Sequence, residues 1–391
     1  MKIFNKNEWK KVKLGDVCEV ITGNTPLKKI KEYWDKDEVP FITPPELKYE
    51  GINYITPNMY VSKIGAKQGK IIPKNSICVC CIGSLGKLGI LKEDAITNQQ
   101  INSLILKDKN VDLLYLYFYL KTIKNKLESI ASSTTVKIIN KSSFEKIEIN
   151  LPTLKIQKKI SKKLELLENN IKLRKSQLVF LKELTKSLFT TMFGTPEYNE
   201  KGWNFISLKD ISYSKGEYGS NKPAINYNGG YRYIRITDIN ANGELKTEKV
   251  GVSDEKIEAQ KYRLKENDIL FARSGATVGK NFLYNKKYGK CIFAGYLIRF
   301  KLNPHLVSTK YLKIYLDTNY YWNWVKNYQN IVAQPNINAK QYGEDLKIML
   351  PPIELQNKFA ERIEKIEKLS FISKELPIFR DFQALYKKVS A

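Results

Sequence analysis

Residues 151–193 read LPTLKIQKKISKKLELLENNIKLRKSQLVFLKELTKSLFTTMF. Within them Ile160, Leu164, Leu167, Ile171, Leu178, Leu181 and Leu188 form one apolar series at steps of four and three, with Arg174 and Thr185 in its two off-pattern slots. A seam kept over about four heptads, with no proline or glycine until Gly194, predicts a long helix of the coiled-coil kind. Pro152 suits the start, since the first helical turn needs no N–H from it. At 1.5 Å per residue the rod is about 60 Å long. Such a seam must be buried against something.

A second copy supplies the partner. Leu350, Pro351, Pro352, Ile353, Glu354, Leu355 and Gln356 restate Leu151, Pro152, Thr153, Leu154, Lys155, Ile156 and Gln157, 199 residues on (350 − 151). Phe359, Ile363 and Ile366 then stand where Ile160, Leu164 and Leu167 stand in the first copy. Two such helices can bury their seams against each other. The second carries Ser370 and Ser373 in the seam and then Pro377, which predicts a kink or stop there. Phe379, Phe382 and Leu385 resume an apolar spacing beyond it.

The duplication extends outward from the helices. Trp9, Leu14, Asp16 and Val17 match Trp203, Leu208, Asp210 and Ile211. The strand-like residues 40–43 resemble 233–237, and the turn 73–77 resembles 265–269. Each copy then has a glycine turn ending in lysine, Gly83 to Lys87 and Ser274 to Lys280. Tyr115-Leu116 and Tyr311-Leu312 each open an amphipathic helix, and residues 144–147 match 343–346 before the Leu-Pro starts. The order is globular unit (1–150), helix (151–194), globular unit (195–349), helix (350–391). The units mix short strands with few helices, an α+β class built on an internal repeat. Framework positions agree while loops diverge, as between 28–38 and 215–230, which suits one scaffold presenting two binding surfaces.

Composition limits what those surfaces bind. Lys+Arg number 66 against 40 Asp+Glu among 391 residues, a formal charge of +26. Part of this is a general taste for lysine, and the remainder favours a polyanion, nucleic acid before membrane. Residues 1–11 are polar, and the longest apolar run, residues 113–120, is too short to span a bilayer, so a cytoplasmic protein without membrane partners is expected. Cys78, Cys80 and Cys81 sit in a strand-like run with the wrong spacing for zinc, and His305 is the single histidine. Reduced structural cysteines are expected, and no metal site.

The Trp-x4-Leu-x-Asp-[Val/Ile] openings, the Gly-Lys turns and the two Leu-Pro-x-[Leu/Ile]-x-[Ile/Leu]-Gln helix starts, in the same order twice, resemble the specificity subunits of type I restriction-modification systems. The resemblance covers nearly the whole chain. It implies two target recognition domains joined by two long antiparallel helices in a pseudo-twofold arrangement. Each domain would read one half of a split double-stranded DNA sequence, with the helices as spacer. It also implies methyltransferase (modification) subunits docked on the helices, and a restriction subunit. On this reading S-adenosylmethionine belongs to the methyltransferase, and ATP and magnesium to the restriction subunit, leaving no cofactor for this chain. Half-sites one DNA turn apart, about 34 Å, are within reach of two units on such a rod. The rival class is a coiled-coil adaptor whose globular units bind proteins.

Catalytic signatures are missing. Thr43-Pro44-Pro45-Glu46 lacks the leading amide or acid and the aromatic of an amino-methyltransferase site, and Gly279-Lys280-Asn281 has the wrong spacing for a nucleotide phosphate loop. Candidate DNA-reading residues are those able to contact base edges in pairs, Arg to guanine and Asn or Gln to adenine. In a chain that prefers lysine, Arg232, Arg235 and Arg273 stand out for their planar fork. Asn98, Gln99 and Gln100 form an amide cluster in the first unit. Thr43 and Thr237 end matching strands, and Ser274 follows Arg273. Ser133, Thr134 and Lys137 in one unit, and Gln334 and Asn336 in the other, occupy equivalent polar loops. Lys87 and Lys280 on the glycine turns suit phosphates. Lys158 and Lys162 flank the first seam and are the candidate subunit-docking residues.

Overall fold

The computed structural model describes residues 9–132, 136–240, 243–329 and 336–375. Ser133, Thr134, Gln334 and Pro377, with the residues beyond it, lie outside the described residues. The chain forms two compact units, one reaching to Gln177 and the other spanning Leu178–Ile372. The boundary therefore falls inside the first long helix, Leu154–Phe193, which is shared between the units.

In the first unit an antiparallel sheet runs in the order Cys18–Thr22, Ile101–Leu106, Ile77–Cys80, Leu88–Ile90. Ile77–Cys80 is buried at every residue, so its run of apolar side chains does not alternate. A smaller sheet pairs Val39–Ile42 antiparallel with Met59–Val61 and parallel with Ile96–Thr97. The helix Leu113–Thr122 is capped by the Asp112 carboxylate and buries Tyr115 to Leu120 without a gap. The opening strand Lys10–Lys13 pairs antiparallel with Glu148–Leu151. Leu151 thus ends a strand, and the helix begins three residues later than the seam alone implies.

The second unit repeats this plan. Its sheet order is Glu217–Tyr218, Leu297–Lys301, Asp268–Ala272, Asn281–Leu283. Arg232–Ile234 pairs parallel with Cys291–Phe293, and Phe205–Ser207 pairs antiparallel with Lys347–Met349. Two asparagines at matching turns, Asn75 (φ 62°) and Asn267 (φ 69°), adopt the left-handed conformation that asparagine tolerates. Backbone bonds fix the correspondence: Asn98 N–H donates to Ile42 O, as Ala294 N–H does to Ile234 O. Thr43 accordingly matches Arg235, not Thr237.

Both Leu-Pro motifs end in a buried glutamine that ties helix to unit. Gln157 accepts from Asp112 N–H and donates to Asn110 and Pro152 carbonyls; Gln356 accepts from Ser308 N–H and donates to those of Leu306 and Pro351. The start of each helix packs on the unit before it. Ile160 and Leu164 lie in the first core, Phe359 and Ile363 in the second. Phe189 and Phe193 lie in the second core, each with its ring on Phe359. The first part of the seam is buried on the helix's own unit, and between residues 172 and 187 the seam positions Arg174, Leu178, Leu181 and Thr185 are half-buried while all the others are exposed. Glu168 is not part of a solvated flank, since it is buried and paired with Lys121 at 2.7 Å.

All five cysteines are free and buried, and burial pushes the thiols of Cys18, Cys78 and Cys81 up to about 12. Such thiols are not reactive at neutral pH. Among the described residues no group of three or more His, Cys, Asp or Glu is placed to hold a metal, and no helix is long and apolar enough to cross a membrane.

Candidate nucleic-acid interface

The second unit contains a cleft of about 960 Å³. Its floor is a close crossing of two backbone segments. Ser220 N–H donates to Phe293 O and Gly295 N–H donates back to Ser220 O. A Cβ on Gly219 would lie 2.4 Å from the carbonyl oxygens of Phe293 and Ala294, so only glycine admits this approach. The end of the strand Asp268–Ala272 forms a wall. Arg273 N–H donates to Tyr296 O, Ile337 N–H donates to Arg273 O, and Ser274 bridges to Asn336.

Five residues singled out by type and position line this one cleft: Arg235, Thr237, Arg273, Ser274 and Asn336. Their electrostatic states differ. Arg235 gives Nε and Nη2 to the two carboxylate oxygens of Asp238, and those hydrogen bonds raise its pKa further. Lys222, also on the cleft, is paired with Asp254 at 2.9 Å. Arg273 has its guanidinium 4.7 Å above the Tyr218 ring, and its Nε is buried with no hydrogen-bond partner among the described residues. Tyr218 is itself held by the Ala339 N–H, which donates to its hydroxyl. An arginine stacked on an aromatic face keeps its outer donors aligned.

The same place in the first unit has a different lining. Gly23 crosses Thr97 as Gly219 crosses Phe293, with a Cβ 2.1 Å from Thr97 O. Cys81 N–H donates to Gln100 O, the counterpart of Arg273 to Tyr296, so Gln99 and Gln100 stand where Gly295 and Tyr296 stand. Gln99 accepts at Oε1 from Thr25, and Gln100 accepts at Oε1 from Asn98. Both amides thereby keep their NH2 groups oriented. Asn98 is 8% exposed, and its side chain closes a turn onto Gln100.

Two stretches of the chain, residues 6–183 and 200–378, match the family model described as the type I restriction modification DNA specificity domain. The chain belongs to this family. It is 30% identical over 298 residues to the type I restriction enzyme MjaIX specificity subunit of Methanocaldococcus jannaschii, covering 69% of this chain and 67% of that protein. To the MjaVIII specificity subunit of the same organism it is 26% identical over 391 residues, covering 94% and 88%. Its fold resembles the crystal structure of a type I restriction-modification system S subunit from M. genitalium, with a TM-score of 0.66 at 17% identity over 100% of this chain and 98% of that one.

Within these two specificity domains several candidates fall elsewhere. Arg232 does not line the cleft: it is 6% exposed, and its Nη2 donates to the carbonyls of Lys246 and Glu248. Thr43 is locked by its hydroxyl to Glu46, the capping pair that Arg235 and Asp238 repeat. Lys87 lies 5.7 Å from the Tyr49 ring, and Lys137 stands 3.9 Å from Glu128. Neither they nor Lys280 line the cleft. Tyr218 and Tyr296 were not legible as site residues. Tyr296, 67% exposed, is matched to Gln100 across the repeat only by the backbone bonds of the fold.

Proposed function

We propose that this chain is the specificity subunit of a type I restriction-modification complex, each unit reading one half of a split double-stranded DNA target. One observation carries the reading: the same fold position is lined by arginine, tyrosine and hydroxyls in one unit and by glutamine amides in the other. One scaffold with two chemically different linings suits two different half-sites, and the +26 charge suits the phosphate backbone. The chain is the recognition component, not a catalytic one.

On this reading modification subunits dock on the long helices, and a restriction subunit joins them. S-adenosylmethionine is bound by the former, ATP and magnesium by the latter, and the complex acts in the cytoplasm. Lys158 and Lys162 are exposed and available for docking. Leu166, Leu173 and Phe180, at heptad spacing and 55–71% exposed, offer the same helix an apolar stripe for a protein partner. Charge reversal at Lys158 and Lys162 should weaken co-purification of the modification subunit and leave the fold intact.

The deciding experiment expresses the chain with a modification subunit in a host without methylation and maps modified bases. A split motif is expected, and DNA binding should weaken steeply with salt. Binding indifferent to salt, with no methylated motif, would favour the adaptor reading instead.

A further inference from the structure

We propose that Arg273 is the specificity-determining residue of the second unit and that it reads a guanine. The inference rests on the reading above and names the base that this cleft selects. Three cations line the cleft. Lys222 is paired with Asp254 and Arg235 with Asp238, the latter through both Nε and Nη2. Arg273 alone, among the described residues lining it, has no acidic partner. Its backbone is pinned on both sides by Tyr296 O and Ile337 N–H, and its guanidinium plane rests on the Tyr218 ring. A fixed, uncompensated fork is suited to a surface offering two adjacent acceptors. In the major groove that surface is guanine, with O6 and N7 side by side. Ser274 and Asn336 flank it and can serve neighbouring base edges or phosphates.

The first unit provides a built-in control. The position matching Arg273 is Cys81, held by the same backbone bonds. The fold therefore accepts a short side chain there, and Arg273→Ala should fold. It also follows that the two units differ in guanine recognition at this position. Tyr218 acts as a positioning residue: it touches Arg273 and is not itself assigned a base.

The test uses the full chain with its modification subunit, first in cells and then on duplex oligonucleotides carrying the mapped motif. In cells, Arg273→Ala and Arg273→Lys should relax one guanine position in one half-site and leave the other half-site and the spacer unchanged. In vitro, replacing that guanine by 7-deazaguanine removes the N7 acceptor. It should weaken wild-type binding roughly ten- to a hundredfold and Arg273→Ala hardly at all. Tyr218→Leu should lower the same discrimination, and Tyr218→Phe should retain it. A phosphate role predicts otherwise: Lys would substitute for Arg, binding would fall equally on all sequences, and the salt slope would drop by about one. That pattern overturns the proposal, as does a responding half-site that contains no guanine. A split motif untouched by Arg273→Ala defeats this inference alone, whereas the absence of any split motif defeats the functional reading as well.

Discussion

Gln356 offers a measure of what the Leu-Pro motif contributes. Its side chain is fully buried, accepts from Ser308 N–H at 2.9 Å, and donates to Pro351 O at 2.7 Å and Leu306 O at 3.2 Å. Gln356→Leu keeps most of the volume and removes all three bonds. Ser308 is half-buried and Leu306 exposed, so water can repair part of the loss. Pro351 is buried, and its carbonyl is left with little help. With about 1–3 kcal/mol for each buried group left unsatisfied, the expected cost is about 2–4 kcal/mol. In urea, with a slope of about 2 kcal/mol/M, the midpoint of the second unit's transition should fall by about 1–2 M at unchanged slope. Gln157→Leu should do the same to the first unit's transition. Neither should alter the methylated motif, because no partner of either glutamine lines the cleft. A midpoint shift corresponding to less than about 0.5 kcal/mol in both variants would refute the clamp as a source of stability.

The remaining tests address a buried pair, a pH dependence and a length. Lys121→Met strands the Glu168 carboxylate inside the first unit and should cost about 3–5 kcal/mol by denaturant unfolding, with Lys121→Met/Glu168→Met recovering most of it; a single variant within 1 kcal/mol of the parent would show the pair to be idle. Burial would raise the Glu217 pKa, but hydrogen bonds and charge from Lys301 and Arg299 outweigh it and hold it below the usual range. Its stabilisation is therefore present above the unfolded carboxylate value of about 4.3 and is lost as pH falls through the lower folded value. Asp268 is raised by burial and acts in the opposite sense, so the difference between parent and Glu217→Gln melting curves isolates Glu217 and should shrink in acid. Seven residues inserted between Arg174 and Leu184, where neither core holds the first long helix, add about 10.5 Å with about 20° of rotation. If that helix sets the spacer, the mapped motif should gain about three base pairs between unchanged half-sites. A half-site rewritten with the spacer unaltered would remove the ruler.

The duplication, the two helices, the fully buried strand at Ile77–Cys80 and the family could all be read from the chain alone. They rest on local patterns: apolar periodicity, a proline before a helix, and motifs repeated in order. The structure had to decide which polar residues are free to act. Arg232 and Arg273 look alike in sequence. One is buried with its Nη2 bound to carbonyls 14 and 16 residues away, and the other lies over Tyr218, 55 residues before it (273 − 218). The match of Gln99 and Gln100 to Gly295 and Tyr296 was likewise hidden. The offset between copies grows from 192 at Thr43 and Arg235 to 196 at Gln100 and Tyr296 and 199 at the glutamine clamps, because the intervening loops differ in length. A side chain's chemistry is local, but its available donors depend on which distant backbone groups the fold brings within hydrogen-bond reach.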